Sequence, residues 1–427
     1  MSTAVVLFTR DLRVHDQPAL AEAVRTQTHV VPMFVLDDAI LRGLDAPNRI
    51  SFLLDALDDL RISLRERGAD LIVRRGDPVG ETLRMACAIG AQTVFVGGDA
   101  SACAQARERR LERECAAEHI DLRVLNTVAI VPPHAVAPTG RDHYRVFTPY
   151  WRRWQALPLR DVLPAPARVQ LPSGLEPGEL PTLPSLTSLG TSPELEPGGE
   201  RAGRDRLAWT RSDESSRLSA HLHFGCISAL EVAARMRDQP QGDGILRRLC
   251  WRDFFLQLLA ANPSLPREDL RPRRDHWRED DEALARWREG STGYPIVDAG
   301  MRQLARQGWL PNRARLIVAS FLTKTLGQDW RLGADHFARL LVDADVASNV
   351  GNWQWMAGTG VDTRPNRVLN PVRQAKRYDA DGAYVRRYVH ELAEVAAAYV
   401  HEPWKAPAAA APRDYPAPID HVDVAAA

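Results

Sequence analysis

Residues 3–35 read TAVVLFTRDLRVHDQPALAEAVRTQTHVVPMFV, and this stretch decides the architecture. A short apolar run, Thr3–Phe8, gives way to an amphipathic helical pattern at Pro18–Thr26 and then to a second apolar run, His29–Val35. Two strands joined through a helix pair in parallel, and strands with almost no polar alternation belong to a sheet covered on both faces. The alternation continues along the chain. Further strands are expected at Asp70–Arg74, Gln92–Val96 and Asp121–Leu125, with helices at Arg49–Arg67, Val79–Ile89 and Ala104–Glu118. Residues 1–130 are therefore predicted to form an α/β domain with a doubly wound parallel sheet, a fold that takes ligands beyond the carboxyl ends of its strands. It contains neither GxGxxG nor GxxxxGK, so neither of those phosphate-binding loops is available to it.

Outward from this domain the character changes. Residues 131–214 read as a connector, rich in proline and glycine from about residue 159. Residues 215–427 show helical periods and no strand signal, so an all-α domain is expected there. Val297, Met301 and Leu304 recur at helical spacing before Gly308 stops the helix. The segment Asn312–Leu326 is apolar on most faces and reads as one central, buried helix. The 427 residues are 45% hydrophobic and 26% charged, as in a soluble globular protein, and no apolar run is long enough to span a membrane. The five cysteines form no CxxC pair and suit a reducing cytoplasm. The formal charge is zero, but of 55 basic residues only Lys324, Lys376 and Lys405 are lysine. Arginine forks match phosphates and aromatic faces, so a local basic cluster could bind nucleic acid despite the neutral total.

Three clusters could carry chemistry. Residues 343–355 (DADVASNVGNWQW) combine two acids, an amide and two indoles around a glycine. Asp343 and Asp345 could ligate a metal, or one could cap a helix and pair with an arginine such as Arg315; the indoles point instead to a flat heterocyclic ligand or to core packing. Residues 215–219 (SSRLS) place hydroxyls and an arginine where a helix begins, which suits helix capping or phosphate binding. Arg247, Arg248 and Arg252 flank Trp251, as in a nucleic-acid groove or a solvated helix face. His221 and His223 lie two apart, the wrong spacing for metal chelation from one helix face.

Taken as a set, FTRDLRVHDQPAL (8–20), SSRLSAHLHFG (215–225), CWRDFF (250–255), TGYPIVDAGMRQL (292–304), WLPNRARLIVASFLTKTL (309–326), DADVASNVGNWQW, RPNRVLNP (364–371) and HEPWK (401–405) resemble the landmarks of the photolyase/cryptochrome family. The likeness is strongest to bacterial class I cyclobutane pyrimidine dimer photolyases. It implies an antenna domain followed by an all-α FAD-binding catalytic domain. The implied activity is light-driven repair of cyclobutane pyrimidine dimers in DNA by electron transfer from excited reduced FAD. A lesion repaired in this way must leave the base stack, and a damaged pair costs less to extrude.

Position by position, the resemblance assigns Ser215, Ser216, Arg217, Leu218 and Ser219 to the FAD phosphates. Asp343 and Asp345 fall beside the flavin, with Arg315 as the partner of Asp343. Asn349 falls near flavin N5, and Trp277, Trp330 and Trp353 match an electron relay. Arg248, Trp251, Asn312, Arg313 and Trp355 fall on the lesion side, and Arg367 on the DNA backbone. The family pattern departs at several places: Arg248 stands where dimer-splitting members carry glutamate, Leu316 replaces a methionine, the tyrosine before the SSRLS segment is missing, and RPNRVLNP is one residue shorter around Arg367. The first departure keeps a second expectation open, a cryptochrome-like blue-light photoreceptor that retains FAD without efficient repair. Histidines diagnostic of six-four repair are absent from residues 301–328. The resemblance also allows an antenna chromophore, a deazaflavin or a folate; no metal is called for, and a monomer is expected.

Overall fold

The computed structural model describes residues 2–43, 45–210, 216–272, 276–361 and 364–419. The chain forms two compact units. One holds residues 1–190, 196–264 and 343–348, the other residues 191–195, 265–342 and 349–427.

The first unit is built on five parallel strands, β1 (Thr3–Phe8), β2 (His29–Asp37), β3 (Ile72–Gly76), β4 (Thr93–Gly97) and β5 (Asp121–Leu125), in the order β3-β2-β1-β4-β5. Val5 pairs with Val31 on one side and Val94 on the other, and these side chains are fully buried with Leu7, Met33 and Val96. The crossover helices are α1 (Pro18–Thr26), α2 (Pro47–Arg65), α3 (Pro78–Ala88) and α4 (Ala102–Ala117). Local chemistry starts three of them: Gln17, Asp77 and Ser101 each accept from a first-turn amide, at 2.8, 2.8 and 3.3 Å. Strand β3 begins two residues later than its apolar run suggests. The Asp70 carboxylate is engaged by Arg61 at 3.0 Å and Arg65 at 2.9 Å and accepts from the Leu71 amide, which holds that residue outside the ladder.

The proline-rich connector is packed. Pro177 accepts from the amide of Val73 at 2.7 Å, and Arg61 donates to both Leu71 and Gly178, so residues 177–178 cover the outer edge of β3. An uncovered edge would invite pairing with another chain. Three further helices complete the part used below: α5 (Phe147–Gln155), α6 (Ser219–Phe224) and α7 (Gly242–Ala261).

The second unit is helical. Its relevant helices are α8 (Pro295–Gln307), α9 (Asn312–Ser320), α10 (Trp330–Leu340), α11 (Val346–Ala357), whose first three residues belong to the first unit, and α12 (Pro371–Tyr378). Gly308 ends α8 with φ +62°, as its place in the sequence suggests. The apolar run 312–326 is not one regular helix: α9 passes at Phe321 into a π-helical turn, Phe321–Thr325, where the Thr323 hydroxyl donates to the carbonyl of Ala319. Among the described residues no helix is long and apolar enough to cross a membrane.

Candidate functional site

In a sheet of this order the ligand crevice opens where the winding reverses, between the carboxyl ends of β1 and β4. Here the chain fills it. Asp11 is fully buried and accepts from the Thr9 amide and from Gln17 Nε2. Arg13, 1% exposed, spends its guanidinium on the carbonyls of His15, Asp16, Thr127 and Gly225 at 2.7–3.1 Å.

Arg10, from the same loop, reaches the DxD segment. Its Nη2 lies 2.6 Å from Asp345 and its Nη1 3.3 Å from Asp99. The other Asp345 oxygen accepts from the amide of Ser348 at 2.9 Å, capping α11. Asp345 therefore both caps a helix and pairs with an arginine, and that arginine is Arg10. Arg315 gives its Nε to the carbonyl of Leu310 at 2.9 Å. Burial alone would raise the Asp345 carboxyl, but the attraction of Arg10, and then of Arg252, holds it well below the usual carboxylate range. His223 lies in the same cluster with its Nδ1 unpartnered. Burial, followed by repulsion from Arg10, lowers it to about 3, so it is neutral at physiological pH. Asp343 is buried, and its carbonyl accepts from the Asp345 amide.

Of the SSRLS segment, Ser215 lies outside the described residues. Ser216 and Ser219 are half-buried and Leu218 is buried. Arg217 adopts φ +41°, a left-handed conformation unusual for a side chain of this size, and pairs with Glu196 at 2.6 Å. Helix α6 starts at Ser219, and Leu218 at its N-cap position makes no side-chain cap bond. His221 is buried and His223 half-buried, and no three metal-ligating side chains cluster among the described residues.

Trp251, half-buried on α7, is stacked flat on Phe147 of α5, with ring centroids 3.7 Å apart and planes at 3°. The guanidinium of Arg247 sits 5.3 Å over the same phenyl ring. The stack continues to Trp151 and Trp154, and the Trp154 indole donates to the buried Asp253 at 3.0 Å. Arg248 is exposed.

In the second unit, Asn349 donates its Nδ2 to the carbonyl of Ala334 at 3.0 Å. That bond fixes which way the amide points and leaves its oxygen as an acceptor. One turn on, Trp353 is 2% exposed, edge-on to Phe337 at 5.0 Å and to Trp287 at 6.1 Å. Trp330 is fully buried, with its indole N–H given to Asp269 at 2.8 Å, whereas Trp277 is half-buried. Asn312 and Arg313 are exposed at the start of α9, Trp355 is half-buried and Arg367 exposed. Arg313 lies 4.4 Å over the ring of Tyr378, and Arg377 lies 5.2 Å from the same ring.

Residues 4–169 match the family described as DNA photolyase, and residues 245–427 match the FAD binding domain of DNA photolyase. A deoxyribodipyrimidine photo-lyase of Streptomyces griseus is 49% identical over all of this chain and 98% of its own length. This chain belongs to the DNA photolyase/cryptochrome family. A cryptochrome DASH of Gloeobacter violaceus is 35% identical over 95% of this chain and 89% of its own. A bacterial class III photolyase of Agrobacterium tumefaciens superposes with a TM-score of 0.91 at 31% identity, covering 99% of this chain and 95% of that one. The donor set suits the FAD of this photolyase family: Asn349 presents a free amide oxygen, the acceptor that a protonated ring nitrogen requires, one turn from a buried indole. Arg10 and Phe147 were missed in the sequence, and His223 was weighed there only as a metal ligand. Only Arg10 left a signal there, its position at the carboxyl end of β1.

Proposed function

We propose that this protein splits cyclobutane pyrimidine dimers in DNA in a light-driven reaction, with residues 1–130 as an antenna domain, 131–214 as the connector and 215–427 as the FAD-binding catalytic domain. The observation that carries this reading is the pair formed by Asn349 and Trp353 on α11: an amide locked by Ala334 with its oxygen free, beside an indole sealed from water. Reduced FAD, when bound, supplies a photoexcited electron to the dimer and regains it after two carbon–carbon bonds have opened, so no reductant is consumed overall.

The protein's own residues do the rest. Ser215, Ser216, Arg217, Leu218 and Ser219 hold the phosphates, and Arg315, Asp343 and Asp345 border the flavin ring. Asn349 accepts the proton-bearing nitrogen and sets its protonation. Trp353 and Trp330 are both sealed from water and Trp277 is half-buried, so Trp277 is the member through which an oxidising equivalent reaches solvent. Trp251 and Trp355 stack against the everted bases, while Asn312, Arg313, Arg248 and Arg367 engage the strand. An antenna chromophore, folate or deazaflavin, would sit away from the β1/β4 crevice, which Arg13 and Asp11 occupy.

Arg248 favours a second reading, a flavin photosensor with little repair, because it presents a donor where dimer splitting uses an acceptor. Loss of dimer from an oligonucleotide under blue light, compared with darkness, separates the two. Light-dependent loss by the wild type supports repair. Photoreduction without dimer loss, restored by Arg248→Glu, supports the sensor.

A further inference from the structure

Trp251 is expected to stack on a flipped base, yet a half-buried indole midway along a helix has no fixed plane unless something flat holds it. Phe147 does so. Its ring lies parallel to Trp251 within 3° at 3.7 Å, closer than any other ring pair around that indole, since Phe254 and Phe255 meet it at 5.4 Å with tilted or perpendicular planes. Phe147 is itself 7% exposed and is backed by Trp151, so it cannot turn away without disturbing the stack behind it. Arg247, four residues before Trp251 on α7 and therefore on the same helical face, is exposed and lies over the same phenyl ring. Cation–π attraction to Phe147 keeps its planar fork beside the platform. α5 carries two further exposed arginines and no acid.

We infer that Phe147 and Arg247 belong to the surface that receives the damaged strand, Phe147 as the residue that sets the plane of Trp251 and Arg247 as the cation for the phosphate next to the everted bases. This rests on the repair reading above, and deepens it by naming a base-stacking platform and its phosphate contact. Neither residue touches the reacting atoms, so both are positioning residues. The two functions also separate cleanly: a plane-setting residue governs the preference for damaged over intact DNA, and a phosphate contact governs affinity for both.

The test uses the FAD-loaded full-length protein in the dark. Dissociation constants are measured over a salt series for one oligonucleotide with and without a single thymine dimer. Arg247→Gln is expected to weaken both complexes and to lower the salt slope by about 0.7–0.9, the value of one phosphate contact. Phe147→Leu is expected to cut the preference for the dimer by about two- to tenfold, while Phe147→Tyr, which keeps the ring, retains it. An unchanged slope in Arg247→Gln overturns the phosphate contact, and unchanged preference in Phe147→Leu overturns the platform. Should the leucine variant not fold, the exposed Arg247 position decides alone. A wild type that does not prefer the dimer refutes the repair reading and this inference with it; a discriminating wild type with variants like it refutes only the inference.

Discussion

Replacing Arg10 by glutamine tests whether the DxD segment is held in place electrostatically. The guanidinium bridges Asp345 at 2.6 Å and Asp99 at 3.3 Å, with the Arg10 side chain 18% exposed and both carboxylates 7%. Two unit charges about 4 Å apart attract by about 4 kcal/mol at the effective dielectric of a protein margin, and removing one member of a buried pair costs about 3–5 kcal/mol because the other is left stranded. Arg252 and the Ser348 amide still face Asp345, which places the expected loss at the lower end, about 3 kcal/mol, or about 5 °C in the melting temperature of a unit of this size. Arg10→Lys should fall between, since one ammonium cannot serve two carboxylates with separate nitrogens.

A protein of two units need not unfold in one step, so the cleaner measure is a double-mutant cycle with Asp345→Asn. The asparagine removes the stranded charge, and the double variant should therefore be more stable than Arg10→Gln alone, with a coupling of about 2 kcal/mol. The pH dependence has a fixed sign. Arg10 holds the folded Asp345 carboxyl below its unfolded value, so the contribution is present above about pH 4 and fades as pH falls below it. The gap between wild type and Arg10→Gln should close over that range. Hydrogen exchange adds a local reading, because a loosened cap exposes the Ser348 amide first. An additive cycle, or a melting temperature unchanged in Arg10→Gln, would show that the cluster is mere proximity and that α11 owes its start to something else.

Two further outcomes are expected. His223 is held neutral by burial down to about pH 3, whereas in the unfolded chain it binds a proton below about pH 6.5, so it withdraws stability across that window, by about 2 kcal/mol at about pH 5. His223→Gln should flatten the fall of melting temperature between about pH 6.5 and about pH 5; His221 and His336, both lowered to about 4, leave a residual slope, and curves parallel to wild type would count against the assignment. Gly333→Ala should destabilise despite alanine's better helix propensity, because the added Cβ would lie 2.2 Å from Cη2 of Trp353 and 2.7 Å from Leu322. A net loss of about 1–3 kcal/mol with a changed near-ultraviolet circular dichroism signal is expected, and a stabilised variant would mean the Trp353 pocket is looser than described.

What the sequence makes legible here is what short-range physics controls. Apolar runs without alternation mark buried parallel strands, and β1 lies where such a run does. Gly308 ends its helix because few other residues take a positive φ cheaply. Trp353 and Trp330 are buried because an indole has too much apolar surface to leave in water. The partners of the site are another matter. Arg10 and Asp345 are 335 positions apart, and no periodicity connects them. The phenyl ring beneath Trp251 lies in a segment that reads only as connector, and residues 177–178, from the same stretch, cover β3 through backbone atoms that every residue shares. Yet the pairing of Asp345 could be narrowed on general grounds. A carboxylate placed among indoles must find a cation or lose its charge. In a doubly wound sheet the loops at the carboxyl ends of β1 and β4 are where ligand-side groups gather. The loop after β1, TRDLR, carries an arginine at its start, and the loop after β4, GGDAS, carries an acid that the same arginine can also reach. Charge balance thus points across the chain to the strand ends, a separation that helical spacing, which looks only four residues away, cannot bridge.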